Sequence, residues 1–231
     1  MYVAVCVSGV PRNSYYPRWI GKLGERYNTK VFINYWQPHD DFLVHSNTPA
    51  PRNGYVLDES IYKYPNSETF FTVNDWNYMK PEFQKIFDQI PVGARIRNDL
   101  GVISMFYGIY RAQLMAEEYE KQNNIRFGIV FRTRMDTYVK VGKWDYDLTK
   151  FDVNSTLYHP DYNVNYCNDH WGFSNGDIMA KYGRVYENIL PLVNKVAYYP
   201  ERMVVEQLGP EVELKMVDFV GLPRFIGGEG E

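Results

Sequence analysis

Hydrophobic positions fall along the chain in short continuous runs, separated by stretches whose apolar residues recur at helical spacing. Tyr2 to Ser8 is apolar almost throughout and predicts a strand covered on both faces, as in the centre of a parallel sheet. Gly9-Val10-Pro11-Arg12-Asn13 breaks both periodicities and predicts a loop. Trp19, Ile20 and Leu23 recur at helical spacing within Ser14 to Tyr27, and Lys30 to Trp36 predicts the second strand. Between Asn47 and Pro91, prolines at 49, 51, 65 and 81 interrupt the pattern. That leaves Tyr55 to Leu57 as a short strand and Pro81 to Asp88 as a short helix with Pro81 in its first turn. A loop-rich insertion of this kind is more often a lid or a substrate-facing segment than a second domain.

Asp99 to Gln122 is the clearest helix. Val102, Ile103, Phe106, Ile109, Tyr110, Leu114 and Met115 share one side, while Arg111, Glu117, Glu118 and Lys121 fall largely elsewhere. Asn123 and Asn124 stop it, and Phe127 to Lys140 begins a strand whose core is Ile129, Val130 and Phe131. Thr156 to Pro160 predicts a further strand, and Tyr166 to Ser174 an aromatic one. Asn175-Gly176-Asp177 caps a helix from Ile178 to Leu190, and Pro200 opens a helix to Leu208. Val212 to Val220 alternates as a last strand, with Leu214, Met216 and Phe219 inward. Strands alternating with helices predict an α/β fold, a mixed and mostly parallel sheet flanked by helices.

Candidate chemistry concentrates in one place. Arg132, Arg134 and Asp136 alternate with Phe131, Thr133 and Met135, so a regular strand projects all three charges from one face. Charges leaving a hydrophobic strand together cost several kcal/mol each unless paired or occupied. One reading is an Arg–Asp pair that holds a loop. The other is a diphosphate site, which needs positive charge beside phosphate oxygens and an oxygen ligand for a divalent cation. Ser8, Gly9 and Arg12 line the crevice where the first strand ends; Gly9 and Pro11 read equally as a plain turn, but Arg12 supplies charge that a diphosphate needs and a turn does not. There is no G-x-G-x-x-G, which argues against a dinucleotide enzyme. His39, Asp40, Asp41 and His45 match no standard ligand spacing and read as a solvated loop.

The strand and its charged end resemble the GT-A class of glycosyltransferases, in which an Asp-x-Asp motif just past a hydrophobic strand holds a metal and a nucleotide-sugar. The chain is most similar to microbial and viral sugar transferases with an Arg-x-Arg-x-Asp pattern, although position 138 is Tyr, so the second carboxylate of the strict motif is missing. The resemblance implies one Rossmann-related, GT-A-like domain over residues 1–226, with 227–231 a flexible tail or a linker to another domain. It implies a Mn2+ or Mg2+ ion at Asp136, with His170 a second ligand or a hydrogen-bond donor to the diphosphate. It implies donor contacts from Arg12, Arg132 and Arg134, and matches Ser104, Tyr107 and Arg111 to a Ser-x-x-Tyr-x-x-x-Arg helix that faces the nucleotide. Asp169 becomes the general base for the acceptor hydroxyl, or simply the start of an Asx-turn. Glu201 is a weaker acidic candidate.

Composition narrows the class. The 231 residues carry a formal charge of −3 and no basic stripe, which disfavours nucleic acid. Aromatics make up 17% of the chain, suited to sugar or base contacts but equally to ordinary core. The two cysteines, Cys6 and Cys167, have no metal-ligand spacing, so a reducing compartment is the default, the cytoplasm, or the host's if the chain is viral. No apolar run approaches the ~18 residues of a membrane span. The expected partners are a nucleotide-sugar donor and a glycan acceptor. Two other readings remain at this point: a glycan- or nucleotide-binding domain without turnover, and a metal-dependent phosphohydrolase.

Overall fold

The computed structural model describes residues 1–10, 18–37, 57, 59–64, 66–95, 100–135, 137–139, 145–160, 167, 170–218 and 220–221. Within these, strands β1 (Tyr2–Gly9), β2 (Asn28–Trp36), β3 (Ser67–Asn74), β4 (Ile129–Arg134), β6 (Thr156–Pro160), β7 (Trp171–Ser174) and β8 (Glu213–Val217) form one sheet, in the order β3-β2-β1-β4-β7-β6-β8. β1 to β4 run parallel, whereas β7 is antiparallel to both β4 and β6. A two-residue pair, β5 (Tyr138–Val139) with β9 (Val220–Gly221), lies apart from it. The helices are α1 (Arg18–Gly24), α2 (Trp76–Asp88), α3 (Gly101–Asn123), α4 (Gly176–Gly183), α5 (Ile189–Val196) and α6 (Pro200–Leu208). This is the expected α/β architecture, a mixed and mostly parallel sheet flanked by helices, in keeping with a GT-A-like arrangement.

Alternation along the strands divides the core in two. Val3, Val5 and Val7 face Trp19, Ile20 and Leu23 of α1, together with Phe131, Trp171 and Phe173. Ala4, Cys6, Phe32 and Val130 face the other way, against Ile103, Phe106, Ile109 and Ala112 of α3 and the helices α4 to α6. Cys6 is buried, and its thiol donates to the Ala112 carbonyl at 3.5 Å. Burial pushes its pKa up, with Glu117 and Glu120 adding to the effect. Both cysteines are buried and neither forms a disulfide. We expect neither to react with Ellman's reagent at pH 8 until denaturant is added, when both react; fast labelling of the native chain would contradict the packing.

The structure departs from the sequence pattern at definite points. β3 replaces the loop expected between the prolines, since Thr69 to Val73 is β-branched and aromatic. α2 starts at Trp76, with the Asp75 carboxylate accepting from the Asn77 and Tyr78 N–H groups, so Pro81 lies inside the helix rather than in its first turn. Burial of Trp76, Phe83 and Phe87 and the cap offset the lost backbone bond. The helix expected from Ile178 to Leu190 is two helices. The Pro191 ring excludes a helical carbonyl at residue 187, and Gly183 passes so close to α3 that a Cβ there would sit 2.9 Å from Gln113 Cγ. Met216, expected inward, is 41% exposed, because β8 is an edge strand paired only with β6. Tyr55 and Val56 lie outside the described residues.

Candidate functional site

The carboxyl ends of β1 and β4 lie side by side. Register places Ser8 between Asn34 on β2 and Arg134 on β4, all on the face covered by α3. Gly9 continues with φ 132, a conformation open to glycine. The Ser8 carbonyl accepts from the Met135 N–H at 3.2 Å, so β4 stays against β1 to its last residue. At Gly108, α3 closes over this corner: a Cβ there would stand in ordinary contact with Ser8 Cβ at 3.5 Å, Asn34 Oδ1 at 3.6 Å and Trp36 Nε1 at 3.8 Å.

Arg134 is anchored twice to the segment that enters β7. Its backbone N–H donates to the His170 carbonyl at 2.9 Å, and its guanidinium meets His170 Nδ1 at 2.6 Å. A guanidinium can only donate, so Nδ1 is the acceptor and the imidazole is the neutral tautomer with its proton on Nε2. The Thr137 hydroxyl also donates to the His170 carbonyl, at 3.2 Å. Thirty-six residues separate Arg134 from His170 in sequence, and the antiparallel pairing of β4 with β7 brings them together.

Arg132 lies one side-chain repeat deeper on the same face and is only 2% exposed. Among the described residues its Nε, Nη1 and Nη2 atoms have no hydrogen-bond partner, and its Cζ stands 5.7 Å from the Tyr182 ring of α4. The alternation predicted for Arg132 and Arg134 therefore holds, but their surroundings differ. Asp136, Arg12 and Asp169, and the His39 to His45 cluster, lie outside the described residues.

The α3 residues divide. Ser104 is buried and its hydroxyl donates to the Gly101 carbonyl at 3.0 Å, within its own helix. Tyr107 packs its ring against Trp36, Phe83 and Tyr186. In this apolar setting burial pushes the Tyr186 hydroxyl up to about 12, with Tyr107, Glu82 and Tyr110 adding. Arg111 acts electrostatically on Tyr110, whose hydroxyl donates to Glu187. These contacts run to β2, α2 and the turn after α4. Glu201 occupies the first turn of α6, as its helix-dipole reading requires.

Two features were invisible in sequence. Asn34, 0% exposed, donates to Thr72 at 2.7 Å and accepts from the Asn74 amide at 2.6 Å, tying β2 to β3. It is structural here, and only a correct reading of β3 would have revealed it. At the opposite end of β4, a groove of about 630 Å3 is lined by Glu117, Glu120, Arg126, Asp177 and Arg184. Its charges largely pair internally, Arg126 with Asp177 at 2.6 Å and Glu120 at 3.5 Å and Arg184 with Glu117 at 3.1 Å, and with Lys121 the lining carries as many cations as anions. Among the described residues, no three His, Cys, Asp or Glu side chains converge as a metal site, and no helix is long and apolar enough to cross a membrane.

No protein-family model matches the chain, and no curated protein sequence matches it. Among solved structures it is similar to a glycosyltransferase involved in glycosylation of the major capsid of PBCV-1, at 12% identity over 94% of this chain and 81% of that one, with a TM-score of 0.39. It is similar to mouse xyloside xylosyltransferase 1 in its apo form, at 8% identity over 93% and 85% of the two chains, TM-score 0.42. It is also similar to the glycosyltransferase GlyE of Streptococcus pneumoniae TIGR4, at 10% identity over 93% of this chain but 45% of that one, TM-score 0.45. Superpositions this loose carry no conclusion about activity.

Proposed function

We propose that the chain is a glycosyltransferase that moves a sugar from a nucleotide-diphosphate donor to a glycan hydroxyl. Position carries the proposal. β2 and β3 extend the sheet on one side of β1 and β4 lies on the other, so the strand order reverses between β1 and β4. Ser8, Gly9, Arg134 and His170 stand at that reversal. In open α/β sheets, ligands bind outside the carboxyl ends of the strands at such a point.

In this reading Arg134 makes charge-assisted hydrogen bonds to diphosphate oxygens, and the Nε2–H of His170, oriented through Nδ1, donates to the same group. Arg12, on the loop after β1, adds charge. As the glycosidic bond breaks, its electron pair leaves with the diphosphate, and these donors stabilise the negative charge that develops. Asp169 takes the acceptor proton if the displacement inverts. The described donors do not by themselves make a cation site, because the lone pair on His170 Nδ1 is engaged by Arg134. Asp136 would hold a Mn2+ or Mg2+ ion, which would add positive charge beside the diphosphate. Two buried cysteines outside any disulfide support a reducing compartment such as the cytoplasm.

The test is calorimetric titration of UDP, GDP, CDP and ADP, with manganese and with EDTA, on the native chain, Arg134→Met and Asp136→Ala. At least one nucleotide should bind. Arg134→Met should weaken it about tenfold to a hundredfold, the worth of a hydrogen bond to a charged group. EDTA should reduce native binding to the level of Asp136→Ala if that carboxylate holds the cation. If no nucleotide binds, the proposal fails. Hydrolysis of simple phosphate esters without an acceptor would favour a phosphohydrolase, and binding without turnover a binding domain.

A further inference from the structure

Arg132 is not explained by a diphosphate at the strand ends. We propose that it binds the carboxylate of an acidic sugar, so that the chain takes uronate-bearing nucleotide donors in preference to neutral hexoses. This inference rests on the donor site proposed above and goes beyond it. A guanidinium that is 2% exposed, with three nitrogens lacking hydrogen-bond partners among the described residues, is a buried charge that those residues do not compensate. The Tyr182 ring, 5.7 Å from Cζ, returns only part of what desolvation costs. An interior that keeps such a group is built for an anion that arrives with the ligand.

The surroundings suit a small planar anion. Across the sheet, Arg132 has Cys6 on one side and Gly172 on the other. The pairing of Tyr158 with Phe173, continued by one residue, sets His159 beyond Gly172, and His159 is also buried. Gly172 adds no side chain of its own beside the guanidinium, and that flank is lined by the Tyr158 carbonyl oxygen, 3.1 Å from where a Cβ would stand, and by Leu157. Arg132 lies two residues behind Arg134, about 6.6 Å along a strand. That is roughly the reach across a pyranose ring from the anomeric oxygen to an exocyclic carboxylate. With the diphosphate at Arg134, the next anion along the donor is the sugar's own, and a carboxylate fits the guanidinium fork with two parallel hydrogen bonds.

Calorimetry with paired donors decides it: UDP-glucuronate against UDP-glucose, UDP-galacturonate against UDP-galactose, and GDP-mannuronate against GDP-mannose, each on the native chain and on Arg132→Met. For at least one pair the native chain should bind the acidic donor about tenfold tighter or more, as a charged bidentate contact warrants. In Arg132→Met that ratio should collapse to unity. Without ligand, Arg132→Met should melt at or above the native temperature, because methionine removes the unpaired charge and keeps the volume. Equal affinity for both donors of every pair overturns the inference and leaves the glycosyltransferase reading standing. So does an equal loss of acidic and neutral donors in the variant, which would give Arg132 to the phosphates. A lower melting temperature would reveal a partner within the fold and also overturns it. Failure of every donor to bind overturns both readings.

Discussion

Replacing Trp171 with alanine is expected to remove about 3–5 kcal/mol of stability, the usual cost of emptying a large aromatic position in a packed core. Trp171 is 0% exposed, and its ring lies 5.4 Å from Phe173, 5.7 Å from Phe131 and 6.3 Å from Trp19. Three rings lose a face at once, and a close-packed interior closes such a gap only in part. Against a typical total of about 5–15 kcal/mol the loss is large. It also reaches the site, because Trp171 follows His170, whose carbonyl receives the Arg134 N–H and the Thr137 hydroxyl. Urea unfolding with linear extrapolation measures it, and Trp171→Phe, which keeps a ring in place, should lose much less. A change below about 1 kcal/mol for the alanine variant would mean that this core does not hold β7 against β4.

The second large effect concerns Asp169, one residue before His170. If Asp169 removes the acceptor proton, Asp169→Asn should lower kcat by about 10²–10⁴-fold, the typical contribution of a general base. The nucleotide affinity should hardly change, because the base touches acceptor rather than diphosphate. Single-turnover transfer, with donor binding measured in parallel, separates the two. A variant that keeps its kcat excludes Asp169 as the base, and one that loses donor binding instead assigns it to the diphosphate or its cation.

Much of the fold was legible from local pattern. The continuous apolar run of β1, the Ile129 to Phe131 core of β4 and the helical period of α3 each appear where the sequence placed them. Each is written into neighbouring residues, through strand alternation or helical spacing. β3 is obscured in the sequence because prolines at 65 and 81 flank the Thr69 to Val73 run and break the local pattern on both sides. Met216 was misjudged for another reason: alternation tells which residues share a face but not whether anything covers that face, and at an edge strand little does.

The candidate site divides along the same line. By itself, the sequence determined that Arg132 and Arg134 share one face at the end of a buried strand, because side chains two apart on a strand always do. Only the tertiary structure decided that Arg134 meets His170 while Arg132 lies buried without a hydrogen bond. That difference comes from the pairing of β4 with β7 and from the helices packed on the sheet. Strand pairing between distant segments follows the packing of the whole sheet rather than any short stretch of chain, so a guanidinium's partner is set by neighbours that its own segment does not encode.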